Sequence, residues 1–339
     1  MRRVLPLACA AFLLAAAGPE SRPVKEIAPA RLSVAPGAEI PLYASADLGQ
    51  KQPGITRAIV IFHGLLRNAE VYYQDGLKTL QAGGAGLDTT LLLAPQFLAD
   101  VDLAPHALSG TTLAWGRDAW AGGEPARKPA PISSYQAIDA LLLHLADRDR
   151  YPALRKVVLA GHSAGAQMVQ RYAVVGRAED SLRAAGIAVS YVIANPSSYL
   201  YFTPERPMPV NTAGCSDWND WKYGMAGGLV PYVQGDPTAL EKRYAGRNVT
   251  YLLGTADIDP NHRLLDKSCA GEAQGPYRLA RGHAYFAMLQ ARDGAILRQR
   301  LFEVPGVPHS EARMFQSACG LAAILGASAS GAKACPDGQ

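Results

Sequence analysis

The sequence has no run of about 20 apolar residues, no block of like charge, no C-x-x-C pair and no internal repeat. Each absence removes a class of answer. Without a long apolar run, no segment can cross a bilayer as a helix, so stable membrane insertion is not expected. The 33 Lys and Arg stand against 29 Asp and Glu with no basic cluster, so nucleic acid is not expected as a partner either. Without a fixed repeat, a solenoid or propeller built from tandem units is excluded. Lacking a C-x-x-C pair, the cysteines offer no standard structural-metal pattern. Asp257-x-Asp259-x-Asn261 opens like a calcium loop but lacks its glycine and distal glutamate. No metal and no cofactor is therefore expected.

What is present is a chain of 339 residues that is 49% hydrophobic, enough to bury a large core as one domain. Arg2 and Arg3, the apolar stretch Val4 to Leu14 and the small residues Ala15-Ala16-Ala17 form a signal-peptide pattern over residues 1–17. Cleavage after Ala17 would export the chain, placing it in the periplasm or outside the cell. Residues 18 to about 40 are rich in Pro and Ala and read as extended, and 18–54 as a whole read as an N-terminal lead-in. The domain itself is expected over 55–325, with a Ser/Ala/Gly-rich tail at 326–339. Cys9 leaves with the signal, and Cys215, Cys269, Cys319 and Cys335 remain. An even number in an oxidising compartment implies two disulfides.

Short apolar runs alternate with helical patterns. Strands are expected at 57–62, 89–97, 187–194, 249–253 and 301–304, and helices at 69–81, from Ser133 or Ser134 to Leu145, at 276–292 and at 311–325. Residues 98–131 and 195–235 lack periodicity and read as loops. Near-continuous apolar strands between helices imply a mostly parallel sheet covered on both faces. At the centre lies Val157-Val158-Leu159-Ala160-Gly161-His162-Ser163-Ala164-Gly165. A strand enters Gly-x-Ser-x-Gly and a helix leaves it, which is the nucleophile elbow. That turn lifts the Ser163 hydroxyl above the sheet and leaves the Ala164 N–H free for a developing oxyanion.

A serine hydroxyl needs a base to take its proton and an acid to orient that base. Such partners sit beyond the carboxyl ends of the strands. Asp257 follows one strand end and His309 another, giving the order Ser163, Asp257, His309 that accompanies this elbow. Asp259 is the alternative acid and His283 the alternative base. His63 and His162 flank catalytic backbone and are expected to serve local geometry.

On these motifs the chain resembles the α/β-hydrolase superfamily over about residues 55–325, and within it secreted bacterial serine esterases and polyester depolymerases. The resemblance implies Ser163 as nucleophile, His309 as base, Asp257 as orienting acid, and the N–H groups of Leu65 and Ala164 as oxyanion hole, with Leu66 as fallback for the first. It implies a carboxylic ester substrate, small or polymeric. Amide or peptide hydrolysis by the same triad is the alternative, and a non-catalytic binding protein on this fold a further one. The stretch 195–248 departs from the minimal pattern and is where a small cap or lid is expected. Trp115 and Trp120 fall in one strand-end loop, Trp218 and Trp221 in another. Together with Tyr199, Tyr201 and Tyr223 they would form an aromatic substrate wall; packing of the loops onto the domain is the other reading. Of the three disulfide pairings, Cys319–Cys335 is favoured because it ties down the tail, which leaves Cys215–Cys269.

Overall fold

A computed structural model describes residues 19–326 and residue 335. Residues 1–17, read as a signal peptide, lie outside the described residues, as does the tail apart from residues 326 and 335. Eight strands form the main sheet: β1 (Ala30–Ala35), β2 (Ala38–Ala44), β3 (Arg57–Phe62), β4 (Thr90–Pro95), β5 (Lys156–His162), β6 (Ala188–Ala194), β7 (Val249–Gly254) and β8 (Arg300–Val304). Their order across the sheet is β1-β2-β4-β3-β5-β6-β7-β8. Pairings from β4 through β8 are parallel, and those of β1 with β2 and β2 with β4 antiparallel.

The longer helices are α1 (Ala69–Ala82), α2 (Ser134–Leu145), α3 (Ala164–Val175), α4 (Pro237–Ala245), α5 (Arg278–Asp293) and α6 (Ala318–Leu325). Alternation along each strand feeds two cores. Ile59 and Ile61 of β3, Val158 and Ala160 of β5 and Leu252 of β7 pack with α1 and α6. Their neighbours Val60, Phe62, Leu159 and Leu253 pack on the other face with α2, α3, α4 and α5. This is the expected α/β-hydrolase architecture, a mostly parallel sheet with helices on both faces.

Three boundaries differ from the sequence reading. The stretch 18–54 is not an extended lead-in, because β1 and β2 within it complete one edge of the sheet. Ile40, Pro41 and Leu42 of β2 are all buried, and Gly37 takes a positive φ in the turn between the strands. The loop 98–131 contains a short parallel ladder, Leu98–Ala99 with Ala114–Trp115, and several single helical turns. The closing helix is two pieces, Glu311–Phe315 and α6, because the Ser317 hydroxyl accepts the Gly320 N–H and starts a new helix. The stretch 195–248 holds no separate helical cap among the described residues. It is an irregular wall up to residue 236, followed by α4.

Both disulfides join the pairs favoured from sequence, Cys215–Cys269 and Cys319–Cys335, with Cα separations of 5.9 and 4.7 Å. No helix among the described residues is long and apolar enough to cross a membrane.

Candidate active site

The turn between β5 and α3 holds Ser163 at φ 60°, ψ −122°, a region that residues with a side chain rarely enter. Two neighbours make this possible. A Cβ at Gly161 would collide with the Gly165 carbonyl, and one at Gly165 with the Phe62 carbonyl of β3. The helix therefore starts hard against the sheet. The Ser163 N–H donates to the Ala194 carbonyl of β6 at 3.0 Å, which fixes the strained residue from behind.

His309 follows β8 and Asp257 follows β7, and the parallel register of those strands brings the two loops side by side. His309 Nε2 lies 3.0 Å from Ser163 Oγ, and His309 Nδ1 lies 2.7 Å from Asp257 Oδ2. Asp257 is 3% exposed, whereas Asp259 is exposed and its carboxylate accepts the Asn261 N–H. His283 lies on α5 with Nε2 2.7 Å from Glu303. Burial pushes the His309 imidazole down, Asp257 pulls it back up and the Arg278 charge pushes it down again, leaving it below 6.5. For Asp257 burial acts upward, but the hydrogen bond and charge of His309 and the charge of Arg278 outweigh it. Its carboxyl therefore ionises below the usual range.

Arg278 was not singled out from the sequence. It is 1% exposed on α5, and it donates to Asp257 Oδ1 at 3.3 Å, Ser197 Oγ at 2.9 Å and the Leu264 carbonyl at 2.8 Å. One guanidinium thus links the acid, the β6 loop and the loop that carries residues 262–268. A signal was available. Arg278 and Arg281 sit in phase with Tyr285, Phe286 and Leu289, so they interrupt a buried stripe of α5 with charge.

Leu65 and Ala164 both line the space above Ser163. The turn carrying Leu65 is held by His63, whose Nδ1 lies 2.9 Å from the Gly64 carbonyl and whose Nε2 accepts the Phe97 N–H at 2.9 Å. An acceptor at Nε2 places the proton on Nδ1, so this histidine is neutral, and burial lowers it to about 4. His162 is fully buried with neither ring nitrogen hydrogen-bonded among the described residues, and its ring packs 4.5 Å from that of His309. Burial holds it well below 6.5, so it too is an uncharged packing partner. Arg67, also at positive φ, is wholly buried against Asp102 at 2.7 Å and donates to the carbonyls of Glu20 and Arg22. It ties the N-terminal segment to the back of the same turn.

The expected aromatic wall is not there. Trp115 and Trp120 are fully buried; Trp120 stacks on Phe97 and meets the His63 ring edge-on. Trp221 donates to the Gly122 carbonyl, and Trp218 carries the Arg206 guanidinium over its ring. None of the four lines the space around Ser163, and Tyr199 and Tyr201 are buried as well. Of the expected aromatic residues, Tyr223 reaches it. Trp115 and Trp120 pack their long loop into the core, where their area is worth more than in an open cleft, and half-buried Trp221 packs against that core. The cleft itself is polar. A cavity of about 370 Å³ on one side of Ser163 includes Arg117, Asp118, Lys222, Arg263 and Asp266, and a smaller one of about 170 Å³ opens between Leu65, Asn68 and His309.

Solved structures share this architecture. Over 90% of this chain and 99% of the other, it is similar to poly(aspartic acid) hydrolase-1 from Sphingomonas sp. KT-1, with a TM-score of 0.61 and 21% identity. LpqC, a poly(3-hydroxybutyrate) depolymerase from Bordetella parapertussis, matches 88% of this chain and 91% of its own, with a TM-score of 0.60 and 21% identity. No protein-family model and no curated protein matches the sequence. The shared architecture defines the chain as having the α/β-hydrolase fold.

Proposed function

We propose that this chain is an exported serine hydrolase that cleaves carboxylic esters through an acyl-enzyme. The observation that carries this is the Ser163–His309–Asp257 relay, with spacings of 3.0 and 2.7 Å, on a strained elbow. Ser163 Oγ attacks the ester carbonyl carbon as His309 Nε2 takes its proton. The carbonyl oxygen becomes an oxyanion that the Leu65 and Ala164 N–H groups receive. The C–O bond to the alcohol then breaks and His309 returns the proton to the leaving oxygen. Water enters, gives its proton to His309 and attacks the acyl carbon; loss of Ser163 as leaving group, reprotonated by His309, frees the acid. Asp257 keeps the proton of the resting imidazole on Nδ1 and stabilises the imidazolium. None of these steps needs a cofactor.

Two disulfides suit an oxidising compartment, in keeping with the signal-like residues 1–17. Both neighbours carry the names of enzymes acting on polymers, which favours a polymeric ester, and the open cleft has room for a chain on either side of Ser163. The test is turnover of 4-nitrophenyl esters of graded acyl length, a matching 4-nitroanilide and a polyester film by the mature protein. Ester turnover without anilide turnover is expected. Anilide turnover at a comparable rate would replace the ester reading with amide hydrolysis.

A further inference from the structure

The larger cavity beside Ser163 is built around cations. Arg117, Lys222, Arg263 and Lys267 line it, against Glu20, Asp118 and Asp266. Arg117 and Lys222 are satisfied within the wall, by Glu20 at 3.5 Å and Asp118 at 3.1 Å, and Lys267 pairs with Glu272. Arg263 is different. It is exposed, lines both cavities flanking Ser163, and makes no ion pair among the described residues.

A second cation stands behind the cavity floor. Arg171 of α3 is fully buried and has no carboxylate in hydrogen-bond or ion-pair contact among the described residues. Its guanidinium donates to Gln167 Oε1, Ser198 Oγ and the carbonyls of Lys222 and Ala121. Burial works against its charge and lowers its pKa. A guanidinium only donates, so the Gln167 oxygen must face it, and that oxygen also accepts the Ser198 hydroxyl at 3.0 Å. Gln167 lines the cavity and is 9% exposed, so its amide nitrogen is the atom turned to the cavity, with no acceptor among the described residues. It lies one helical turn beyond Ser163, on the same face of α3.

In the wall, the Asp266 carboxylate accepts the Tyr223 and Ser268 hydroxyls. The cavity thus presents a fixed N–H donor beside the nucleophile, a buried cation without an ion pair among the described residues beneath it and a guanidinium likewise without one at its mouth. An anion satisfies all three. We propose that this cavity is a carboxylate subsite, with Gln167, backed by Arg171, and Arg263 recognising an ester substrate whose acyl part carries a pendant carboxylate. This rests on the serine-hydrolase reading of the same site and names its substrate class.

The test compares mono-4-nitrophenyl adipate, anionic at its far end, with 4-nitrophenyl hexanoate, an uncharged six-carbon acyl ester. At low salt kcat/KM is expected to be about tenfold higher for the adipate, which corresponds to about 1.4 kcal/mol. The ratio should fall several-fold at 0.5 M NaCl because the mouth of the site is open to solvent. Arg263→Gln, an exposed substitution, should cut the ratio about tenfold. Gln167→Glu keeps an acceptor toward Arg171 but sets a carboxylate in the subsite, and should bring the ratio below one. Turnover of both esters at a ratio near one, unmoved by Arg263→Gln, overturns the subsite alone. Turnover of neither ester overturns the hydrolase reading and the subsite with it.

Discussion

At the scale of single residues, the proposed chemistry depends on three side chains in line, Ser163, His309 and Asp257, and on the charge that Arg278 holds behind them. Ser163→Ala should leave a folded protein with kcat lower by roughly 10⁴–10⁶-fold, because such a relay acts as a unit. More than a tenth of the activity on an unchanged melting curve would remove Ser163 from the mechanism. Asp257→Asn should cost on the order of 10⁴-fold by stabilising the wrong histidine tautomer, and Asp259→Asn little, since its side chain is exposed. The pH profile has a definite sign. In the proposed mechanism His309 must be neutral to accept the serine proton, so kcat/KM should fall on acidification, with its midpoint shifted down from 6.5 because burial and Arg278 lower this imidazole. Arg278→Met removes a positive charge from beside the imidazole, so the acid limb should move to higher pH as well as kcat falling. Arg278→Lys should recover part of the shift. An acid limb unmoved in Arg278→Met would show that the arginine serves packing alone.

At the scale of elements, the elbow was legible because everything it needs is contiguous: an apolar strand, two glycines four residues apart and a helix. The side chains forbidden at Gly161 and Gly165 are forbidden by backbone, Gly165 and Ala166 in one case and Phe62 and His63 in the other. Neither obstacle can rotate away. Gly161→Ala and Gly165→Ala should therefore each cost about 3 kcal/mol or more by denaturant unfolding. Gly110→Ala, where a Cβ meets nothing within 4 Å, should stay within about 0.5 kcal/mol of the parent. Equal midpoints for all three variants would mean that the strand and helix are not pressed together as described. The walls were not legible for the converse reason. Whether Trp120 faces the cleft or lies under it depends on Phe97 and His63, which are 23 and 57 residues away, and no periodicity in a loop records that choice. The hairpin β1–β2 was hidden by its Pro and Ala content, although Leu32, Ile40 and Leu42 carry the burial of a strand edge.

For the whole molecule, the alternation of apolar runs and helical patterns was enough to fix a parallel sheet, since only that arrangement covers strands buried on both faces. Chain order placed Ser163, Asp257 and His309 beyond the carboxyl ends of β5, β7 and β8. What the pattern could not show is how the fold holds its histidines, and this has a consequence for stability. His63 and His162 are sealed in uncharged form beneath the site, and His309, His262 and His144 are also lowered, burial being the largest cause in each. The unfolded chain binds protons at these imidazoles near pH 6.5, while the folded chain binds them only at lower pH. Stability contributed by a lowered histidine is complete above the unfolded pKa and is lost as the pH falls from 6.5 toward the folded value. For His63 that window runs from 6.5 to about 4, and at pH 5 this one residue removes roughly 2 kcal/mol. His162 adds a loss of the same sign. Asp257, lowered relative to a free carboxyl, contributes in the same direction at still lower pH, as its own pairing is titrated away. The melting temperature should therefore hold through the neutral range and drop by several degrees between pH 7 and pH 5, before carboxylate protonation takes over. Exchange of His63 for Asn, which offers the Phe97 N–H an oxygen acceptor without a titrating ring, should flatten part of that drop while lowering stability at pH 7. A melting temperature constant from pH 7 to pH 5 in the parent protein would mean that these rings are protonated in place, and the neutral assignment of His63 would fall with it.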